Sequence, residues 1–159
     1  MEYLNLYDKE GNLLQEKGIR GEENVNLFGI VLIFIENSKG EFLIQKTSPE
    51  KHSEFATTGG HVTYGDSFIE TVIKEVKEEL GISIKKDEII EATTYIREKY
   101  IQKVYYLKKD IKINDIKIQE SEVEYVKWLT IEEIDNLIKN NEFRKSNIEG
   151  YRFVTENKK

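Results

Sequence analysis

The chain contains no cysteine. Disulfides, thiolate metal centres and cysteine nucleophiles are excluded together. Histidine occurs only twice, at His52 and His61, so a histidine-rich zinc site lacks its ligands. Proline occurs once, at Pro49, within a polar stretch. Long apolar runs are also missing. The longest, Ile30 to Ile35, is of strand length, far short of the ~20 residues a membrane helix needs. No apolar segment follows a basic start, so no signal peptide is expected and a cytoplasmic location is the default. Excess positive charge is absent: 24 Lys and Arg against 30 Asp and Glu leave a net charge of −6. That balance argues against binding a nucleic-acid polymer through its backbone. It leaves open a small phosphate-containing substrate held through metal ions.

What remains is a chain of 159 residues, 38% hydrophobic and 34% charged, a size that suits one domain over residues 1–159 with one core. Its pattern reads in order. Glu2 to Lys17 suggests a short hairpin turning at Asp8 to Asn12, and Gly18 to Asn24 a polar connector. Val25 to Ile35 has the continuous aliphatic character of a central strand buried on both faces. Asn37 to Gly40 is a turn, and Glu41 to Thr47 returns as a strand. Ser48 to Thr58 reads as a loop leading to a Gly59-Gly60 turn. A helix is expected over Asp66 to Leu80, then a short strand or exit at Ile82 to Ile84. Ile89 to Arg97 and Lys103 to Lys108 read as strands, Ile111 to Gln119 as mixed, and Glu122 to Leu129 as a strand burying Trp128. Thr130 with Glu133 forms a capping box for a helix carrying Ile131, Ile134, Leu137 and Ile138. Asn141 to Lys159 reads as a polar tail with Phe143, Tyr151 and Phe153 as docking points. Strands, helix, strands, helix give an α/β class: a mixed sheet with helices on its faces.

The most informative stretch runs from Gly60 to Ile82. Asp66 is the expected N-cap and Gly81 the stop. Glu75, Glu78 and Glu79, at i, i+3 and i+4, project from one face of the helix. Phe68, Ile69, Val72, Ile73, Val76 and Leu80 supply the apolar face. Three carboxylates on one face repel one another, and a divalent cation with a preference for oxygen would offset that. On the acids alone, a solvated acidic face is an equal reading. The glycines at a fixed distance upstream shift the balance.

The stretch resembles the Nudix box, G-x5-E-x7-R-E-U-x-E-E-x-G-U, with U a bulky aliphatic. Gly60, Glu75, Val76, Glu78, Glu79, Gly81 and Ile82 match, while Asp66 stands for Glu and Lys74 for Arg. The looser match from about Asn26 to Leu137 extends the resemblance, and the N-terminal hairpin is weakly similar to the isopentenyl-diphosphate-isomerase-like branch. The resemblance implies an α/β/α sandwich. It also implies divalent-metal-dependent hydrolysis of a pyrophosphate bond in a nucleoside diphosphate linked to another group. By the same resemblance Glu75, Glu78 and Glu79 are metal ligands, joined by the Gly60 carbonyl, and the ion is Mg2+ or Mn2+. Lys74 takes the place of an arginine that pairs with box carboxylates, keeping the charge but losing the two-pronged fork. A downstream acid completes such sites as ligand or general base, and Glu122 stands at that position, with Glu120 and Glu124 beside it. Glu78, Glu79, Lys74 and Glu122 are thus the candidate catalytic residues. Lys46, Gly59 and His61 are candidate substrate-binding positions. Lys46 as an exposed strand lysine and His61 as a residue packed in a tight turn are the ordinary readings of those two positions. Two other readings stand beside the hydrolase. One is a nucleotide-sensing module that does not cleave, which the intact glutamates disfavour. The other is an isoprenoid-diphosphate isomerase, which needs a cysteine this chain lacks. A monomer or a homodimer is expected.

Overall fold

The computed structural model describes residues 1–157. The continuous aliphatic run becomes strand β3 (Leu27–Glu36), the axis of a mixed sheet, and its last six residues are all buried. Side chains alternate across a strand, so its odd and even residues feed two different cores. Val31, Ile33 and Ile35 pack with Val72, Val76 and Leu80 of helix α1 (Phe68–Leu80). Leu32 and Phe34 pack with Ile134 of α2 (Ile131–Lys139) and with Tyr151 and Val154 of α3 (Lys145–Asn157). The result is the expected α/β/α layering. Among the described residues no helix is long and apolar enough to cross a membrane.

The hairpin expected at the N-terminus is present as β1 (Tyr3–Tyr7) and β2 (Leu13–Ile19), closed by Asp8, whose carboxylate accepts from the Asn12 backbone N–H at 2.8 Å. β3 also pairs in parallel with β8 (Tyr100–Lys108), which pairs with β7 (Ile90–Ile96). On its other side β3 meets β4 (Phe42–Thr47) at one register pair only, Glu36 with Phe42. Beyond that pair the two strands diverge. β6 (Thr58–His61) fills the edge of β3, while β5 (Phe55–Ala56) and β9 (Val123–Leu129) pair with β4. This split in the sheet makes room for a cleft.

Five expectations need correction or narrowing. Gly59 and Gly60 do not form a turn; they lie in β6, opposite Leu32 and Val31. The helix is capped by Ser67, whose hydroxyl accepts from the Glu70 N–H at 3.1 Å while the Glu70 carboxylate accepts from the Ser67 N–H at 2.8 Å. Asp66 is left for another partner. Ile82 to Ile84 is not a strand. Trp128 is only half buried, its indole N–H donating to the Ile111 carbonyl at 3.1 Å. The supposed polar tail contains α3, whose Tyr151 is 1% exposed and stacks edge-on against Phe42.

Candidate active site

The cleft between the diverging strands has a volume of about 410 Å³, and it draws acids from two directions. Glu75, Glu78 and Glu79 enter from the last turns of α1, and Glu122 enters from the segment just before β9. Gly59, Gly60 and His61 of β6 complete that wall. The sequence signal is therefore brought together in one concave place.

Close approach of backbone to acid explains the glycine at position 60. A Cβ added there would sit 2.5 Å from the Glu75 carboxyl carbon. At Gly59 a Cβ would meet the Val31 carbonyl oxygen at 2.3 Å. Neither glycine has a positive φ. Both are needed for space, one for the carboxylate and one for the β3–β6 pairing.

Glu79 is 5% exposed. Its carboxylate accepts from the Gln45 side-chain N–H at 3.0 Å, and Gln45 in turn accepts from the Thr58 hydroxyl at 3.1 Å. Burial pushes the Glu79 carboxyl well above its usual range, and the adjoining Glu75 carboxyl, hydrogen-bonded to it, pushes further the same way. Burial also raises Glu75, with Glu78 adding to the rise, while its bond to Glu79 and the charge of Lys74 oppose it. Glu78 and Glu79 also sit in the last turn of α1, where the helix dipole is negative. Burial, mutual repulsion and the dipole thus all disfavour negative charge here.

Burial and mutual repulsion favour one shared proton on the pair when no cation is present. Oxygen donors under such strain fit a hard divalent cation, which would replace that proton. Glu78 is exposed and free to swing toward it. Among the described residues the side chains do not already form a closed set of three or more metal ligands.

Lys74 and Asp66, the two departures from the box, bind each other. The Lys74 ammonium is 2.9 Å from the Asp66 carboxylate, and that hydrogen bond raises the lysine's pKa. Lys74 lies outside the cleft lining, as does Lys46. Alternation along β4 turns Gln45 and Thr47 into the cleft and Lys46 away from it, to a place 4.6 Å from the centre of the Phe55 ring. His61 lines the cleft; burial lowers its pKa, with the charge of Arg20 acting the same way, so the imidazole is neutral at physiological pH.

Glu122 is positioned by three contacts. The Ser48 N–H donates to its carbonyl at 3.1 Å, the Gln119 N–H donates to the Glu79 carbonyl at 3.1 Å, and the Lys51 ammonium stands 3.2 Å from its carboxylate. The segment before β9 is thereby tied to the end of α1, which fixes the distance between the acids of the two elements. Sequence reasoning missed Gln45, Arg20, Lys51 and Arg144, all of which line the cleft. Strand alternation was the signal available for Gln45, since it sets Gln45 on the face opposite Phe42 and Ile44. Arg144 lies in the segment read as tail.

A family model described as the NUDIX domain matches residues 26–150. A protein named as an uncharacterised Nudix hydrolase of Listeria innocua is 29% identical over 149 residues, covering 90% of this chain and 88% of the relative. An asymmetrical bis(5'-nucleosyl)-tetraphosphatase of Mus musculus is 30% identical over 125 residues, covering 76% of this chain and 84% of the relative. A crystal structure of a Deinococcus radiodurans protein superposes with a TM-score of 0.76 at 22% identity, covering 89% of this chain and 91% of that one.

Proposed function

The chain belongs to the Nudix hydrolase family, and from that premise we propose that it hydrolyses the pyrophosphate bond of a nucleoside diphosphate linked to a second group, with Mg2+ or Mn2+. The observation that carries the reading is the pairing of buried Glu79 with half-buried Glu75 against Gly60, in a cleft that also holds Glu78 and Glu122. Glu75, Glu78, Glu79 and the Gly60 carbonyl would hold the cation. When bound, it neutralises phosphate oxygens and lowers the pKa of a coordinated water.

The chain's own groups do the rest. Glu122 accepts the proton of the attacking water. A new P–O bond forms at phosphorus, the anhydride P–O bond breaks, and the leaving phosphate carries away the electron pair. Arg20, Lys51 and Arg144 present positive charge along the cleft, where substrate phosphates lie. Gln45 holds the Glu79 carboxylate in place. Lys74 acts from outside, its charge favouring ionised Glu75. The mouse relative is named for a bis(5'-nucleosyl)-tetraphosphate, one member of this substrate class.

The test is a panel of NDP-sugars, ADP-ribose, NADH, dinucleoside polyphosphates and (d)NTPs with Mg2+ or Mn2+, run beside Glu79→Gln and Glu78→Gln. Wild type should cleave at least one compound and Glu79→Gln should lose roughly a hundred-fold or more. Equal inertness of wild type and both variants on the whole panel defeats the proposal.

A further inference from the structure

Three polar residues from three different elements meet beneath the acidic cleft. Gln45 comes from β4, Thr58 from β6 and Glu79 from α1, and all three are buried. Leu43, two residues before Gln45 on the same face of β4, packs into the apolar core under α1. An apolar side chain at position 45 would extend that core. A buried amide costs stability unless its hydrogen bonds are made. Here they are made in a line. The Thr58 hydroxyl donates to the Gln45 side-chain oxygen at 3.1 Å, and the Gln45 amide N–H donates to the Glu79 carboxylate at 3.0 Å.

The line crosses the split in the sheet. Gln45 stands opposite Ala56 on β5, while Thr58 stands opposite Ile33 on β3. The residue before Thr58 is itself tied down. The Thr57 hydroxyl donates to the Ile33 carbonyl, and the Thr57 N–H donates to the side-chain oxygen of buried Asn147, on α3, at 2.9 Å. Thr58 thus stands on backbone anchored to the central strand and to a helix.

Each bond in the line orients the next. An amide side chain has one accepting end and one donating end. With the Thr58 hydroxyl donating, the accepting end of Gln45 faces Thr58 and the donating end faces Glu79. One Glu79 oxygen is then engaged as an acceptor. Turned over, the amide would set its oxygen against the carboxylate. Thr58 itself does not line the cleft, so the direct route from its hydroxyl to an ion there runs through Gln45.

We propose that Thr58 and Gln45 are positioning residues for Glu79: Thr58 sets the orientation of the Gln45 amide, and Gln45 holds one carboxylate oxygen so that the other faces Glu75 and the cleft. The proposal rests on the reading of Glu79 as a cation ligand and adds the two residues that aim it. Partners one bond removed from a ligand are worth roughly 10–100-fold in metal affinity.

The experiment is calorimetric titration of the full chain with Mn2+. It compares wild type, Thr58→Ser, Thr58→Val, Gln45→Met and the Thr58→Val/Gln45→Met double variant, with urea unfolding of each. Gln45→Met should bind Mn2+ roughly ten-fold or more weakly. Thr58→Val, which keeps the shape and loses the hydroxyl, should weaken binding to a similar degree. Thr58→Ser, which keeps the hydroxyl, should bind as wild type does. The double variant should bind no more weakly than Gln45→Met, because the two residues act as one unit. Variants that lose stability yet bind Mn2+ like wild type have lost only a structural contact; that result overturns the proposal and leaves the hydrolase reading standing. So do additive losses in the double variant, or a Thr58→Ser as weak as Thr58→Val. A wild type that takes up no Mn2+ overturns both. If Gln45→Met does not fold, the contrast between Thr58→Ser and Thr58→Val decides.

Discussion

Replacing each of the adjacent glycines 59 and 60 by alanine separates folding from function at neighbouring positions. At Gly60 the new methyl would lie 2.5 Å from the Glu75 carboxyl carbon, the far end of a flexible side chain. To reach an ordinary contact that carboxylate must withdraw by roughly 0.5–1 Å, which a rotamer change accommodates at a cost of about 1 kcal/mol or less. Removing glycine's excess freedom from the unfolded chain returns ~0.4–1 kcal/mol. Gly60→Ala should therefore unfold within about 1 kcal/mol of wild type. Its Glu75, however, is displaced by a distance that costs on the order of a hundred-fold in a positioned site. At Gly59 the obstacle is the Val31 carbonyl oxygen, at 2.3 Å, in the buried central strand. That backbone cannot withdraw without parting β3 from β6, so Gly59→Ala should lose about 1–3 kcal/mol or more, or roughly 3–10 °C in Tm for a chain of this size. Urea unfolding gives the stability of each variant. Calorimetric titration with Mn2+ and turnover of the best substrate give the site. If Gly60→Ala binds Mn2+ and turns over like wild type, or loses as much stability as Gly59→Ala, the reasoning about close approach is wrong.

Other outcomes follow from the same geometry. The Glu79 carboxyl is raised in the folded state, so its contribution to stability is full below the unfolded value of 4.5 and is lost as pH rises through the folded value. In EDTA the unfolding free energy should thus fall with rising pH by up to about 1.4 kcal/mol per unit in that window. Glu79→Gln should flatten this slope, and a slope unchanged in the variant would count against the shared proton. Lys74→Met breaks an exposed pair with Asp66 and should change unfolding by about 1 kcal/mol or less, while lowering turnover at acidic pH, where Glu75 is harder to ionise; a pH–rate profile identical to wild type contradicts this. Tyr151→Ala should cost about 3–5 kcal/mol by urea unfolding, since Tyr151 is buried among Phe34, Phe42 and Phe143; a change below about 1 kcal/mol would show that α3 adds little to the core.

The acidic helix was legible because its signals are local. The carboxylates recur at helical spacing, and Gly81 follows with φ +70°, where only a residue without Cβ is at ease. The central strand was legible because burial on both faces leaves an uninterrupted aliphatic run. The cap was misread by one residue. Asp66 and Ser67 are both good caps, and a lysine eight positions along the chain, which no capping rule considers, engages the aspartate. The glycines were read as a turn because glycine pairs usually mark one; here the demand for glycine is set by Val31 and Glu75, distant in sequence. Helix α3 was missed because Gly150 interrupts it and its polar side is wide. Gly150 is there because a Cβ would come within 3.1 Å of Val104 on β8. The cleft's cations escaped notice for the same reason: Arg20, Lys51 and Arg144 come from a connector, a loop and the supposed tail, and only the fold brings them together.

The split between β3 and β4 has a consequence for how such a protein can diversify. The acids proposed to perform the chemistry hang from α1, and their place is set by β6 and by the tie from Gln119 to Glu79. Beside them lies a second hollow, of about 590 Å³, bounded by the connector from Gly21 to Val25 and by Tyr100, the first residue of β8, none of which that tie restrains. Changes in the connector's length or composition can therefore accumulate without disturbing the acidic cluster. A lineage is free to trade one substrate for another while the reaction itself stays as it was.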